Sequence, residues 1–257
     1  MLNAIIIAVI VFVFIYYDAL IRFNRVFRRK RALEITEVYG ARTVERIFRL
    51  FQVYAGFRIE FEDRSGTPLP ERFLLVANHQ SLLDIPITMG LLRSRRLRFV
   101  AKRELGKGIP LVSVLLNTVG HALINRKGDA MRAMTTIDGF AKRCRRDGTC
   151  PVIFPEGTRS RTGEVGPFHT AGVRRLFEEE SLPVVVAAIE GGWRVAKFRD
   201  LIANLSGGSY CLRLIAVLPP PKGKKETLEA VQKARELCVA AIRDMRGAGC
   251  AEVIVSE

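Results

Sequence analysis

FLLVANHQSLLDIPITMGLL, residues 73–92, runs from a short apolar segment through a polar loop into a stretch with helical character. FLLVA (73–77) has the length and side chains of a buried strand, and residues 83–92 read as a helix, so the segment is one strand–loop–helix unit. The alternation continues on both sides. RIEFE (58–62), LRFVA (97–101), HALIN (121–125), CPVIF (150–154), LPVVVAAI (182–189) and YCLRLIAVL (210–218) read as further strands, with helices over 129–146, 170–180 and 226–247. Strands alternating with helices predict an α/β domain with a mostly parallel sheet flanked by helices. Binding and chemistry in such a sheet gather in loops beyond the carboxyl ends of the strands, and NHQSLLD (78–84) is such a loop. No internal repeat is visible, and PPPKGKK (219–225) reads as a loop before the terminal helix.

The chain has 257 residues, 49% of them hydrophobic, with 41 Lys and Arg against 26 Asp and Glu, for a formal charge of +15. This composition excludes a disordered or collagen-like chain, and the length supports a core without disulfide staples. Five cysteines (Cys144, Cys150, Cys211, Cys238 and Cys250) contain no C-x-x-C pair and leave an odd one over. They read as buried thiols in a reducing compartment, with neither a zinc site nor a disulfide framework. The excess of positive charge implies a polyanionic partner, either nucleic acid or an anionic membrane surface with phosphorylated substrates.

Position along the chain favours the membrane. Met1 to Tyr17 carries no charged side chain, and as a helix it would be about 25 Å long, at the lower limit for crossing a bilayer, so it either crosses or dips in. Arg22, Arg25, Arg28, Arg29, Lys30 and Arg31 follow without an intervening acid. This flank is expected on the cytoplasmic face against anionic head groups, at about 1 kcal/mol per basic residue near the surface. A cleaved signal peptide would carry its charges before the apolar run. Val44, Ile47, Phe48, Phe51, Tyr54 and Ala55 recur at three- and four-residue spacing, an amphipathic helix whose stripe faces either a core or a membrane surface. The division expected is therefore 1–57, membrane-anchoring and amphipathic helices, and 58–257, the α/β domain. Nucleic acid is disfavoured, because the densest basic run abuts the apolar segment and no base-stacking or helix-turn-helix pattern appears.

The chain has three histidines, His79, His121 and His169. His79 and Asp84 are five residues apart, which on one continuous helix would separate them by about 140°, so they meet only with His79 in the loop and Asp84 in the first helical turn. Such a pair suits a base and its orienter: the carboxylate fixes the imidazole tautomer and the other ring nitrogen takes a proton from a hydroxyl. A loop histidine bonded to backbone, with an aspartate capping a helix, accounts for the same spacing. FPEGTRS (154–160) follows the strand CPVIF and carries Glu156, Gly157 and Arg159, with Arg161 just beyond. Its glycine lets backbone approach an anion and its arginine offers a planar fork to two phosphate oxygens, although an ordinary surface turn has the same composition. His121, on an apolar strand, reads as a core histidine. The basic clusters Arg93–Lys107 and Lys142–Arg146 read as solvated faces, with lipid phosphates or an acidic carrier surface as the alternative.

NHQSLLD followed some seventy residues later by FPEGTRS resembles the glycerolipid acyltransferase family, which includes the 1-acyl-glycerol-3-phosphate acyltransferases. The resemblance covers about residues 58–220. It implies His79 as general base and Asp84 as its partner. GHALINR (120–126) is similar to the family's G-x-x-F-I-x-R motif, and the strand from Leu182 to its proline-containing fourth motif. By the same resemblance Arg126, Arg159 and the turn Glu156, Gly157 and Thr158 bind the acceptor's glycerol phosphate, and Lys102 matches a lysine common after the third strand. Leu123 stands where Phe is usual, Val186 in place of a second proline, and His169 in place of a lysine.

The reaction implied is transfer of a fatty acyl group from acyl-CoA or acyl carrier protein to the sn-2 hydroxyl of 1-acyl-glycerol-3-phosphate, giving phosphatidic acid, with neither metal nor cofactor. The hydroxyl needs a base as it attacks, whereas a thiolate leaves readily, so direct transfer in a ternary complex is expected and an acyl-enzyme at Ser81 is the lesser route. Another lysolipid acceptor, such as a lyso-ornithine lipid, a hydrolytic outcome, and a non-catalytic lipid-binding role are the alternatives.

Overall fold

Seven strands form one sheet in the order β1-β7-β6-β2-β5-β3-β4, in a computed structural model that describes residues 2–125, 129–195 and 208–248. The strands are β1 (Arg58–Asp63), β2 (Leu74–Ala77), β3 (Leu97–Lys102), β4 (Ala122–Ile124), β5 (Cys150–Ile153), β6 (Val184–Glu190) and β7 (Ser209–Leu218). Neighbours are parallel except β6 and β7, so the sheet is mixed: β1 and β7 run opposite to the other five. β2 sits centrally, with Leu75 opposite Val152 of β5 and Val185 of β6, and all four of its residues are buried. An apolar run without alternation is what a strand covered on both faces requires.

The helices are α1 (Leu2–Phe27), α2 (Arg29–Glu34), α3 (Gly40–Ala55), α4 (Asp84–Leu91), α5 (Val112–Thr118), α6 (Ala130–Asp147), α7 (Thr170–Glu179) and α8 (Gly223–Ala248), with a π-helical turn, Ile35–Tyr39, joining α2 to α3. One face of the sheet packs Leu75, Phe99 and Val152 against Ile87 of α4 and against Phe48 and Phe57 from the amino-terminal region. The other packs Val76, Val100 and Val186 against Phe140 of α6, Leu176 of α7 and Ala234 of α8. α6 starts where Asp129 accepts hydrogen bonds from Met131 N and Arg132 N, closing two of the helix's free donors.

The amino-terminal helices are fastened to this body. Ile21 and Ile35 share a small core with Leu111 and Val114. Asp18 accepts from Arg22 at 2.6 Å and from the Leu111 N–H at 2.9 Å; these two donors, the guanidinium foremost, hold its carboxyl below the usual range. Leu111 has φ +63°, left-handed backbone that costs a bulky residue about 1–3 kcal/mol. Among the described residues no helix is long and apolar enough to cross a membrane.

One reading from sequence needs correction. Cys144, Cys150 and Cys238 are free and buried, and burial pushes Cys144 up to about 11 and Cys238 up to about 12. Cys211, however, is disulfide-bonded. The missing C-x-x-C pair argues against a clustered metal site, but neither it nor an odd count of five rules out a bonded cysteine. The basic clusters are largely the solvated faces expected, with Arg93, Arg96 and Arg145 exposed although paired, and Arg98 is the exception. Arg98 is buried against Glu37, Arg96 reaches the same carboxylate at 3.2 Å, Arg93 pairs with Glu45 at 2.8 Å, and Arg145 with Glu179 at 3.2 Å. These arginines tie neighbouring elements together at the amino-terminal ends of β3 and β5, opposite the end where loops could form a site.

Candidate active site

The carboxyl ends of β2 and β5 are adjacent, so the loop after each strand meets the other. NHQSLLD leaves β2 and FPEGTRS leaves β5, and backbone joins them: the His79 N–H donates to Glu156 Oε1 at 2.8 Å and the Ser160 N–H donates to the His79 carbonyl at 2.8 Å. The second oxygen of Glu156 accepts from the Gly166 N–H at 3.1 Å. Glu156 is buried, and desolvation pushes its pKa up against the pull of these two donors. Gly157 makes the turn at φ +69°, where a side chain would strain the backbone.

His79 Nδ1 lies 2.7 Å from Asp84 Oδ2. Both side chains are buried, Asp84 completely. The offset of five residues is bridged because Asp84 is the first residue of α4 while His79 remains in the loop, so the carboxylate faces back over the helix start. The same oxygen accepts from the backbone N–H groups of Gln80 (2.7 Å) and Ser81 (2.9 Å). A carboxylate offers only acceptors, so the hydrogen between the pair belongs to Nδ1 and the lone pair to Nε2. The ring stacks on Phe154, centroids 4.3 Å apart and planes 11° apart, which fixes its plane as the hydrogen bond fixes its rotation. This arrangement can take a proton at Nε2 and hold the resulting imidazolium against a buried anion.

Three side chains that sequence reasoning did not single out belong to the same assembly. Tyr210, at the start of β7 and fully buried, donates its hydroxyl to Asp84 Oδ1 at 3.0 Å. Asn78 clamps β6, donating to the Ile189 carbonyl at 2.9 Å and accepting its N–H at 2.7 Å. Gln80 donates to the Gly163 carbonyl at 3.2 Å and to Glu190 at 3.1 Å. Asn78 and Gln80 flank the histidine and could have been suspected for that reason; nothing near Tyr210 in the chain points to it.

The other residues of interest are more dispersed. Thr158 is exposed and Arg159 partly buried on the same turn. Lys102, at the end of β3, pairs with Glu104 at 3.2 Å on the surface. Arg126 lies outside the described residues. A cavity of about 330 Å³ opens beside the ends of β3 and β4, lined by Arg103, Asn125, Asp129, Arg132 and Thr136 among others. Exposed His169 precedes α7, its N–H on the Pro155 carbonyl at 2.9 Å. Its ring Cδ2 lies 3.9 Å from where a Cβ at Gly157 would stand, so the lysine-to-histidine departure falls at this turn. His121 is a core residue: its Nδ1 accepts the Phe99 N–H at 2.8 Å, and burial, helped by the charge of Arg98, pushes its pKa down to about 3. Ser81 is fully buried, with its Oγ accepting the Leu83 N–H at 3.2 Å.

Comparison with known proteins agrees with this architecture. The human 1-acyl-sn-glycerol-3-phosphate acyltransferase beta is 33% identical over 153 residues, covering 57% of this chain and 54% of that protein. The 1-acyl-sn-glycerol-3-phosphate acyltransferase of Helicobacter pylori is 36% identical over 114 residues, 43% of this chain and 45% of that one. The chain thus spans about half the length of these curated relatives. The crystal structure of the 1-acyl-sn-glycerophosphate acyltransferase of Thermotoga maritima shares the fold, with a TM-score of 0.72 over 95% of both chains at 22% identity. The acyltransferase family model matches residues 58–190, β1 to the end of β6, which is more than half of the chain and includes both loops joined at Glu156. The chain belongs to the acyltransferase family.

Proposed function

We propose that this chain moves a fatty acyl group from a thioester to the sn-2 hydroxyl of 1-acyl-glycerol-3-phosphate, releasing phosphatidic acid and a free thiol. The observation that carries the reading is the buried His79–Asp84 pair, held beside the FPEGTRS turn in a chain of the acyltransferase family. His79 Nε2 removes the hydroxyl proton as the oxygen attacks the thioester carbonyl. The tetrahedral intermediate collapses by breaking the carbon–sulfur bond, and the imidazolium returns the proton to the departing thiolate. Asp84 keeps the ring in the required tautomer and balances its charge. Glu156, whose oxygens both accept backbone N–H groups, acts by holding the two loops in register. Arg159, Thr158 and Gly157, on the turn after β5, meet the acceptor's phosphate, and the family resemblance assigns Lys102 and Arg126 to the same role. The donor is acyl-CoA or an acyl carrier protein, and the reaction uses no cofactor.

His169 beside Gly157 supports a second acceptor reading. It replaces a permanent charge by an imidazole next to the turn, which suits a lysolipid with a different head group, such as a lyso-ornithine lipid. Supplying a labelled thioester with lysophosphatidic acid, and in parallel with lyso-ornithine lipid, separates the two. Phosphatidic acid as product supports the first reading, product only in the second arm supports the other, and free fatty acid alone in both arms overturns transfer in favour of hydrolysis.

The reading places the chain on the cytoplasmic face of the membrane. Phe12, Phe23, Val26 and Phe27 of α1 are exposed, with relative accessibilities of 69%, 60%, 77% and 69%, and Arg28 to Arg31 follow directly. Apolar rings beside a basic run are the features of an interfacial helix on anionic lipid. Replacing Arg28, Arg29, Lys30 and Arg31 by Gln is expected to weaken sedimentation with vesicles containing anionic lipid several-fold per charge removed, and to leave weak binding to neutral vesicles unchanged. Equal loss on both kinds of vesicle would count against an electrostatic anchor.

A further inference from the structure

We propose that Tyr210 is a positioning residue of the transfer reaction: its hydroxyl, bonded to Asp84, sets how strongly the carboxylate supports the protonated His79 ring. The inference rests on the acyl-transfer reading above and extends it to a residue outside the stretch matched by the family model, which ends at residue 190.

The two oxygens of Asp84 are used differently. Oδ2 receives His79 Nδ1 and the N–H groups of Gln80 and Ser81, all from its own loop, whereas Oδ1 receives the Tyr210 hydroxyl from β7, 126 residues away in sequence. Tyr210 is wholly buried and cannot be replaced there by bulk water, and burial together with the Asp84 charge pushes its pKa well up, so it remains a donor. The fold makes room for this contact. A Cβ at Gly192, just past β6, would stand 3.1 Å from Tyr210 Cε2 and 3.2 Å from Asp84 Oδ1, so the carboxylate and the phenol meet where the chain carries no side chain.

The hydrogen bond from Tyr210 draws charge from the carboxylate and weakens its hold on an imidazolium; a weaker donor strengthens that hold and a stronger donor reduces it. The other groups facing the pair are Glu156, whose Oε1 holds the His79 N–H, and, one contact further out, Glu190, which bonds to Gln80 and is paired with Arg246 of α8 at 3.2 Å. Neither changes when position 210 is altered, so a difference between variants isolates the phenol.

The test measures acyl transfer against pH for the full chain, using the thioester and whichever lysolipid the wild type accepts. Tyr210→Phe is expected to move the acidic limb of kcat to higher pH by about half a unit, with KM changed less than twofold. 3-Fluorotyrosine at position 210, a stronger donor of nearly the same size, is expected to move the limb the opposite way and remains informative if the Phe variant does not fold. On an Asp84→Asn background, Tyr210→Phe is expected to have less than a third of its effect on kcat. Limbs that stay in place in the fluorinated protein, or losses that multiply undiminished on the Asp84→Asn background, would overturn the proposal in favour of simple packing. A wild type without transfer to any lysolipid would instead refute the underlying reaction, which the parallel product assay detects separately.

Discussion

His79→Ala is expected to lower acyl transfer by about 10²–10⁴-fold while the protein stays folded. In the proposed reaction the hydroxyl is a poor nucleophile until its proton is taken, and Nε2 of this ring is the base assigned to that step. The fold should survive because the partner left behind is not abandoned: Asp84 keeps the N–H groups of Gln80 and Ser81 and the hydroxyl of Tyr210. What is lost is the stacking on Phe154 and the volume of one small ring, worth about 2–3 kcal/mol of stability. The expected pattern is thus a collapse of turnover, a small drop in the midpoint of thermal unfolding, and nearly unchanged affinity for the lysolipid. Transfer near the wild-type rate by the folded variant would remove His79 from the mechanism.

The second large effect concerns stability in acid. His121 titrates at about 3 in the folded protein against 6.5 for a free imidazole, because it is buried and faces the charge of Arg98. The folded value is depressed, so between pH 6.5 and 3 the unfolded chain binds a proton that the folded chain does not. The stabilisation from keeping this ring neutral is complete above pH 6.5 and falls as the pH drops, by about 1.4 kcal/mol per unit and about 4–5 kcal/mol in all by pH 3. His121→Asn offers an oxygen to the Phe99 N–H without a titrating ring. It is expected to cost about 1–3 kcal/mol at neutral pH and to show a shallower decline between pH 6.5 and 4 in urea unfolding. Parallel declines in the two proteins would mean that the ring is protonated without unfolding.

Much of the fold can be read from the chain because each strand is a short apolar run with a loop or helix on either side. Five of the seven strands run one way, as alternation with helices predicts, but β7 returns antiparallel to β6. No local feature of YCLRLIAVL distinguishes a parallel from an antiparallel strand, and Tyr210 was invisible as a site residue for that reason. α5 was missed as well: seven residues, Val112–Thr118, are too few to show helical periodicity. The meeting of His79 with Asp84 was legible because it needs only one loop and one helix start. The contact between Glu156 and the His79 backbone depends on β2 and β5 being neighbours, which is a property of the whole sheet.

Leu111 and Asp18 have a bearing on how the molecule stands at a surface. The backbone at Leu111 adopts a costly shape, and its amide is caught by a carboxylate in α1. A helix pinned in this way behaves as a keel rather than a mooring line: it fixes the height and tilt of the α/β body above whatever it rests on. If that is lipid, the buried ring hangs at one depth, and in the proposed reaction the acceptor carbon within its reach is chosen by elevation before any pocket discriminates.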